Sequence, residues 1–265
     1  MSEIIQNPWT RLRSFTNARL ALGRAGDSLP TSEVLDFALA HAQARDAVHN
    51  ALHVENLACD LKASGFESIA VQSAARDRAE YLRRPDLGRK LNDASRSLIE
   101  GCHPERSEGS ASLVDSSRPE APSAIFIIAD GLSAIAPARH AVPVLREITS
   151  KLESWQIAPI IIATQARVAL GDEIGEIVNA EMTVMLIGER PGLSSPDSLG
   201  IYLTHNPRIG CTDADRNCIS NVRPEGLSYE AAAHKLHYLM TAAHRIGSSG
   251  ISLKDESEGA FLQGD

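Results

Sequence analysis

Hydrophobic positions along the chain follow two rhythms, and the change between them falls near residue 92. Before it the period is helical. Val34, Leu35, Ala38, Leu39 and Ala42 share one face of a helix starting at residue 31, with Thr31 or Ser32 as cap and Glu33 in the first turn. A second helix is predicted over 52–62, with Leu57 and Leu61 on its apolar side and Gly65 ending it. A short strand, 69–71, follows. A helical stretch over 77–82 stops ahead of Pro85, because the residue before a proline disfavours the helical region.

Beyond residue 92 the apolar runs shorten and become continuous. After a helix over 93–100, strands are predicted at 124–129, 159–163, 182–187, 201–203 and 218–220. Helical patterns separate the first of these: Val142, Leu145, Ile148 and Leu152 mark one, and residues 174–177 a shorter one. A long helix over 229–246 follows the last strand. Near-continuous apolar strands alternating with helices indicate a parallel sheet covered on both faces. The expected fold is therefore α/β. A small N-terminal helical domain, 1–92, opens with a flexible arm. A Rossmann-like, mostly parallel three-layer αβα domain, 93–265, follows. Two segments lack hydrophobic periodicity. Residues 101–123, rich in Ser, Pro, Gly and charge, read as a disordered insertion, and the acidic tail after Lys254 reads as frayed.

Composition narrows the function. The 265 residues carry a net charge of −8 and only 4% aromatics, which excludes the basic, base-stacking face of a nucleic-acid binder. No apolar run approaches the roughly 20 residues of a membrane span, and the charged first thirty residues do not form a signal peptide. The four cysteines, Cys59, Cys102, Cys211 and Cys218, show no zinc-type spacing. His103 in the insertion, and His234, His237 and His244 on the last helix, have no evident partners for a metal. Phosphate-binding glycine loops and the nucleophile elbow are absent.

Candidate chemistry gathers where strands end. Open α/β sheets bind ligands beyond the carboxyl ends of their strands. Three segments qualify: Thr164-Gln165-Ala166-Arg167-Val168, then Gly188-Glu189-Arg190-Pro191-Gly192-Leu193, then Asp215-Arg216-Asn217-Cys218-Ile219-Ser220-Asn221. In the second, Pro191 fixes its own φ and Gly192 permits dihedrals that other residues avoid. On spacing alone, Glu189 and Arg190 could equally be a surface ion pair.

The GERPGL run at 188–193, followed by DRNCISN at 215–221, resembles the light chain of ethanolamine ammonia-lyase. Gly23-Arg24-Ala25-Gly26, the segment from Arg83 through Pro85 to Arg89, and Asp130-Gly131-Leu132-Ser133 match that family too. The resemblance covers most of 20–254, apart from the insertion. It implies adenosylcobalamin as cofactor and a heavy chain as partner in a hetero-oligomer, with the substrate pocket on the heavy chain. It implies Val168, Glu189 and Cys218 as cofactor contacts and no catalytic group on this chain. Glu189 would accept from corrin amides, Val168 offer an apolar contact, and Cys218 a small soft one. The resemblance also implies that cobalt keeps the cofactor's own base, so the missing Asp-x-His-x-x-Gly signature is expected. A cytoplasmic protein is implied, either free or enclosed in a bacterial microcompartment. The alternative is a non-catalytic cobalamin-binding or assembly protein that works alone.

Residues 101–123 cannot bury enough apolar surface to offset the entropy of ordering them. Deleting them and joining the flanks through a short turn should leave the thermal midpoint nearly unchanged. A large drop in the melting curve would show that the insert packs.

Overall fold

The apolar runs become the strands of one sheet. The structure, a computed structural model, describes residues 8–16, 18–101 and 123–257. Of the insertion expected at 101–123, Gly101 ends a helix and Ser123 begins a strand; its remainder, with Cys102 and His103, most of the acidic tail and the first part of the arm lie outside the described residues.

The strands are β1 (Ser68–Gln72), β2 (Ser123–Ala129), β3 (Gln156–Ile157), β4 (Ile160–Thr164), β5 (Met182–Gly188), β6 (Leu199–His205) and β7 (Arg216–Val222). Their order is β1-β4-β2-β5-β6-β7, with β3 pairing the start of β2. Pairing is parallel from β1 through β5 and antiparallel from β5 to β7. The last two strands thus depart from the expected parallel alternation. The chain passes from β5 to β6 through residues 189–198 with no crossover helix, so it must double back.

The helices are α1 (Thr31–His49), α2 (Val54–Ala63), α3 (Arg78–Arg83), α4 (Asp93–Gly101), α5 (Ile135–Thr149), α6 (Leu170–Ile177) and α7 (Tyr229–Ile246). Strand alternation divides the core into two layers. Phe126, Ile128, Val184 and Leu186 pack with Leu145 and Ile148 of α5 and Leu236 and Leu239 of α7. Ile125, Ile127, Ile161 and Met185 pack on the other face with Leu170 and Ile174 of α6 and Ile99 of α4. Each such side chain, fully buried, stabilises by about 1.5–3 kcal/mol. The result is the three-layer αβα arrangement.

The first ninety residues behave in two ways. Leu57 and Leu61 of α2 join the α5–α7 core layer, and β1 pairs with β4 along its whole length, so sheet hydrogen bonds cross the boundary expected near residue 92. In α1, by contrast, only Ala47 is buried. Leu35 is 63% and Leu39 59% exposed, so the apolar face that these residues share is turned outward. Its N-cap is Pro30, without a side-chain bond, rather than Thr31 or Ser32. Arg13 ties the preceding segment to α1 through Glu33 at 2.6 Å.

One buried ion pair joins α6 to β7. Arg216 hydrogen-bonds Asp172 through Nη2, and each side chain is 3% exposed. Arg216 also donates to the Cys211 carbonyl at 3.0 Å and reaches Asp213 at 3.3 Å. Burial pushes the Asp172 pKa up to about 6, against the pull of Arg216. An aspartate in the unfolded chain titrates near about 3.9, so the native state holds this proton more tightly. The Asp172 contribution to stability is then full below about pH 4 and is lost as pH rises through about 6. The thermal midpoint, followed from pH 4 to 8, should carry this loss in the wild type and lack it in Asp172→Asn. Equal slopes in the two proteins would assign the titration elsewhere.

Candidate functional site

The site is assembled around Asp130, the residue after β2. The residue is 1% exposed, and both of its carboxylate oxygens are engaged. Oδ2 accepts from Gln165 N at 2.9 Å and from Arg78 Nη1 at 3.3 Å, and Oδ1 accepts from Ala166 N at 3.0 Å. Burial pushes its pKa up, while the two amides and the Arg78 guanidinium pull it down. The effect is mechanical. The turn after β4 is clamped to the end of β2, with Gln165 in the left-handed region at φ 55. Such a conformation in a non-glycine residue costs about 1–3 kcal/mol and persists only where its surroundings enforce it.

Arg78 extends the clamp. It donates to Val48 O at 2.7 Å and Gly131 O at 2.8 Å, and its guanidinium stands 4.9 Å above the Tyr81 ring. α3, which carries both residues, is capped by Asp77, whose side chain accepts from Glu80 N at 2.8 Å. Tyr81 in turn donates to Ala166 O at 3.0 Å, and Arg167 N donates to Gly88 O at 2.8 Å. The ends of β2 and β5 also meet closely. Leu132 N donates to Gly188 O at 2.9 Å, and a Cβ on Gly188 would collide with Ser133 O. Together these contacts bring Arg167 and Val168 to the carboxyl edge of the parallel strands.

A cleft of about 670 Å³ opens there, and an adjoining hollow of about 410 Å³ shares Arg167, Val168 and Tyr202 with it. Val168 lines both, Cys218 the first and Glu189 the second. The three residues singled out from sequence therefore line two adjoining hollows, with Val168 shared between them. Cys218 lies within strand β7, which contains the strand expected at 218–220, and sits in register opposite Tyr202 of β6. The residue is exposed, yet protein crowded around its sulfur pushes the thiol pKa up, with Glu189 and Asp213 adding to the rise. A raised pKa keeps it a thiol and argues against a nucleophile.

Glu189 is held from three sides. Its carboxylate accepts from the hydroxyls of Ser198 and Ser220 and from Asn221 N at 3.3 Å, while its own N donates to Ser198 O at 3.0 Å. A carboxylate has about four acceptor directions, so roughly one remains. The contacts clip β7 to the β5–β6 connection and turn Glu189 away from Arg190. Gly192 has no positive φ; its missing Cβ leaves room for the Ser195 hydroxyl.

Among the lining residues not named as contacts from the sequence are Arg89, Arg167 and Tyr202. Tyr202 was findable, since alternation places it opposite the buried Ile201 and Leu203. Burial pushes its phenol pKa up, and Cys218 reinforces this. The last-helix histidines do not form a metal site; among the described residues no group of three His, Cys, Asp or Glu side chains is placed to hold an ion. No described helix is long and apolar enough to cross a membrane.

The whole sequence also resembles known proteins. Residues 6–254 match the family model described as "Ethanolamine ammonia-lyase light chain (EutC)". A protein of Azotobacter vinelandii named ethanolamine ammonia-lyase small subunit is 53% identical over 265 residues, 99% of this chain and 94% of the relative. Proteins of the same name from Pseudomonas putida and Ralstonia nicotianae are each 51% identical, covering 98% of this chain and 92% and 93% of themselves. This chain belongs to the ethanolamine ammonia-lyase light chain family.

Proposed function

We propose that this chain is the small subunit of an adenosylcobalamin-dependent ethanolamine ammonia-lyase, and that its cleft holds one side of the cofactor against a heavy chain. The observation that carries the reading is the convergence of Val168, Glu189 and Cys218, from three separate segments, on two adjoining hollows that share Arg167, Val168 and Tyr202.

The lining fits such a group. Corrin side chains end in amides, and Glu189 retains an acceptor direction for an NH₂. Val168 and the Tyr202 ring supply apolar wall, and Cys218 supplies a small soft contact. When bound, adenosylcobalamin supplies the organic radical chemistry by which ethanolamine becomes acetaldehyde and ammonia. This chain's residues bind and orient. Asp130 fixes the turn that carries Val168, and the serine clip fixes Glu189. None of them acts on substrate in this reading; the substrate site belongs to the heavy chain. The cleft is open on one side, and radical chemistry requires exclusion of water, so a second chain must cover it. Where the enzyme resides follows the resemblance: the cytoplasm, free or within a microcompartment.

Replacing Glu189 by Ala removes a bond to a charged acceptor, worth about 1.5–3 kcal/mol. Adenosylcobalamin binding to the reconstituted complex should weaken about tenfold or more. Because Glu189 also clips β7, the thermal midpoint of the variant is needed alongside; unchanged affinity would remove Glu189 from the site.

Acetaldehyde release should be undetectable from this chain alone and appear when it is mixed with a heavy chain. Turnover by the isolated chain would overturn the assignment. A mixture that assembles, binds cofactor and stays silent would favour the stand-alone binding protein.

A further inference from the structure

The cleft carries positive charge that the protein does not use. The Arg167 guanidinium lies 4.4 Å above the ring of Tyr81, which is fully buried and anchored through its hydroxyl to Ala166 O. Gly88 makes the nesting possible. A Cβ there would stand 3.0 Å from Arg167 Cγ and 2.9 Å from the Tyr81 ring. The arginine is thus held flat and in place by stacking. Yet no side-chain nitrogen of Arg167 hydrogen-bonds any described residue, and its Nε is buried with no partner. A buried donor without an acceptor is costly, and proteins keep few of them. Arg89, exposed on the same wall of the cleft, likewise has no hydrogen bond or ion pair on its side chain.

No acid nearby forms an ion pair with either arginine among the described residues: Glu189 accepts from Ser198, Ser220 and Asn221, and Asp213 pairs with Arg216. In a chain of net charge −8, two uncommitted arginines on one cleft wall mark an anion. A rigid guanidinium with unspent donors suits the two oxygens of a phosphate group.

We propose that Arg167 and Arg89 form an anion subsite that takes a phosphodiester, the charged link in the nucleotide tail of a cobalamin. The proposal rests on the reading of the cleft as a cobalamin site. The corrin amides are neutral, so the phosphodiester is the group on the cofactor that two cations would select. It gives a purpose to Tyr81 and Gly88, which no cofactor contact of Val168, Glu189 or Cys218 explains.

The test compares cyanocobalamin with dicyanocobinamide, which lacks the phosphodiester and the nucleotide, on the complex reconstituted with a heavy chain. Wild type should prefer cyanocobalamin. Arg167→Gln should weaken it about tenfold or more and leave dicyanocobinamide unchanged. Arg89→Gln should act in the same direction; Arg89 is exposed, so it carries the test if Arg167→Gln does not assemble. Inorganic phosphate should compete with cyanocobalamin on wild type and not with dicyanocobinamide. Equal loss for both corrinoids, or no loss in either variant, would overturn the subsite and leave the cofactor reading standing. Phosphate that binds without competing would make this a free-phosphate site and overturn the assignment as well. If wild type binds neither corrinoid, the cofactor reading fails and the subsite fails with it.

Discussion

The Asp130 carboxylate is the constraint on which the rest of the site depends. It follows the most central apolar strand, β2, and is sealed from solvent. A carboxylate so placed must be fully bonded or it destabilises the fold. Its partners are two successive amides of the turn after β4 and the guanidinium of Arg78 from α3. Satisfying one buried charge therefore fixes three segments that are far apart in sequence. The strained backbone at Gln165, the approach of α3 to the sheet and the placement of Val168 all follow from it.

Much of the fold was legible because its signals are local. α7 was read to the residue, since Ser228 caps it by accepting from Ala231 N and Gly247, at φ 69, ends it. β2, β4 and β5 were legible because they are apolar on both faces. Direction was not. β6 and β7 look like any other strand, and only the lack of a helix between residues 188 and 199 makes them antiparallel. The outward face of α1 was equally hidden, because a periodic apolar stripe reports that a face exists and not what lies against it. The partner of β1 was hidden for a third reason: it lies about ninety residues downstream, beyond any local pattern.

In the site, the resemblance supplied Val168, Glu189 and Cys218, and the structure adds what spacing could not. Arg167 stood beside Val168 in the same quoted run, but its stacking on Tyr81 depends on Gly88 from a different loop. Glu189 also has a structural task. Its bonds to Ser198, Ser220 and Asn221 join β7 to the rest of the edge, so the carboxylate shapes the cleft whether or not it touches a ligand.

The strand order has a consequence for how the molecule is made. β1 is finished at Gln72, but the strand it pairs with begins at Ile160. At roughly 5–20 residues per second on the ribosome, the intervening chain takes several seconds to appear. Throughout that interval the hydrogen-bonding edge of β1 has no neighbouring strand. The cleft waits longer still, because Cys218 and the clip on Glu189 come from β7. Pairings so distant in sequence slow folding, so the sheet cannot close until the last third of the chain has emerged.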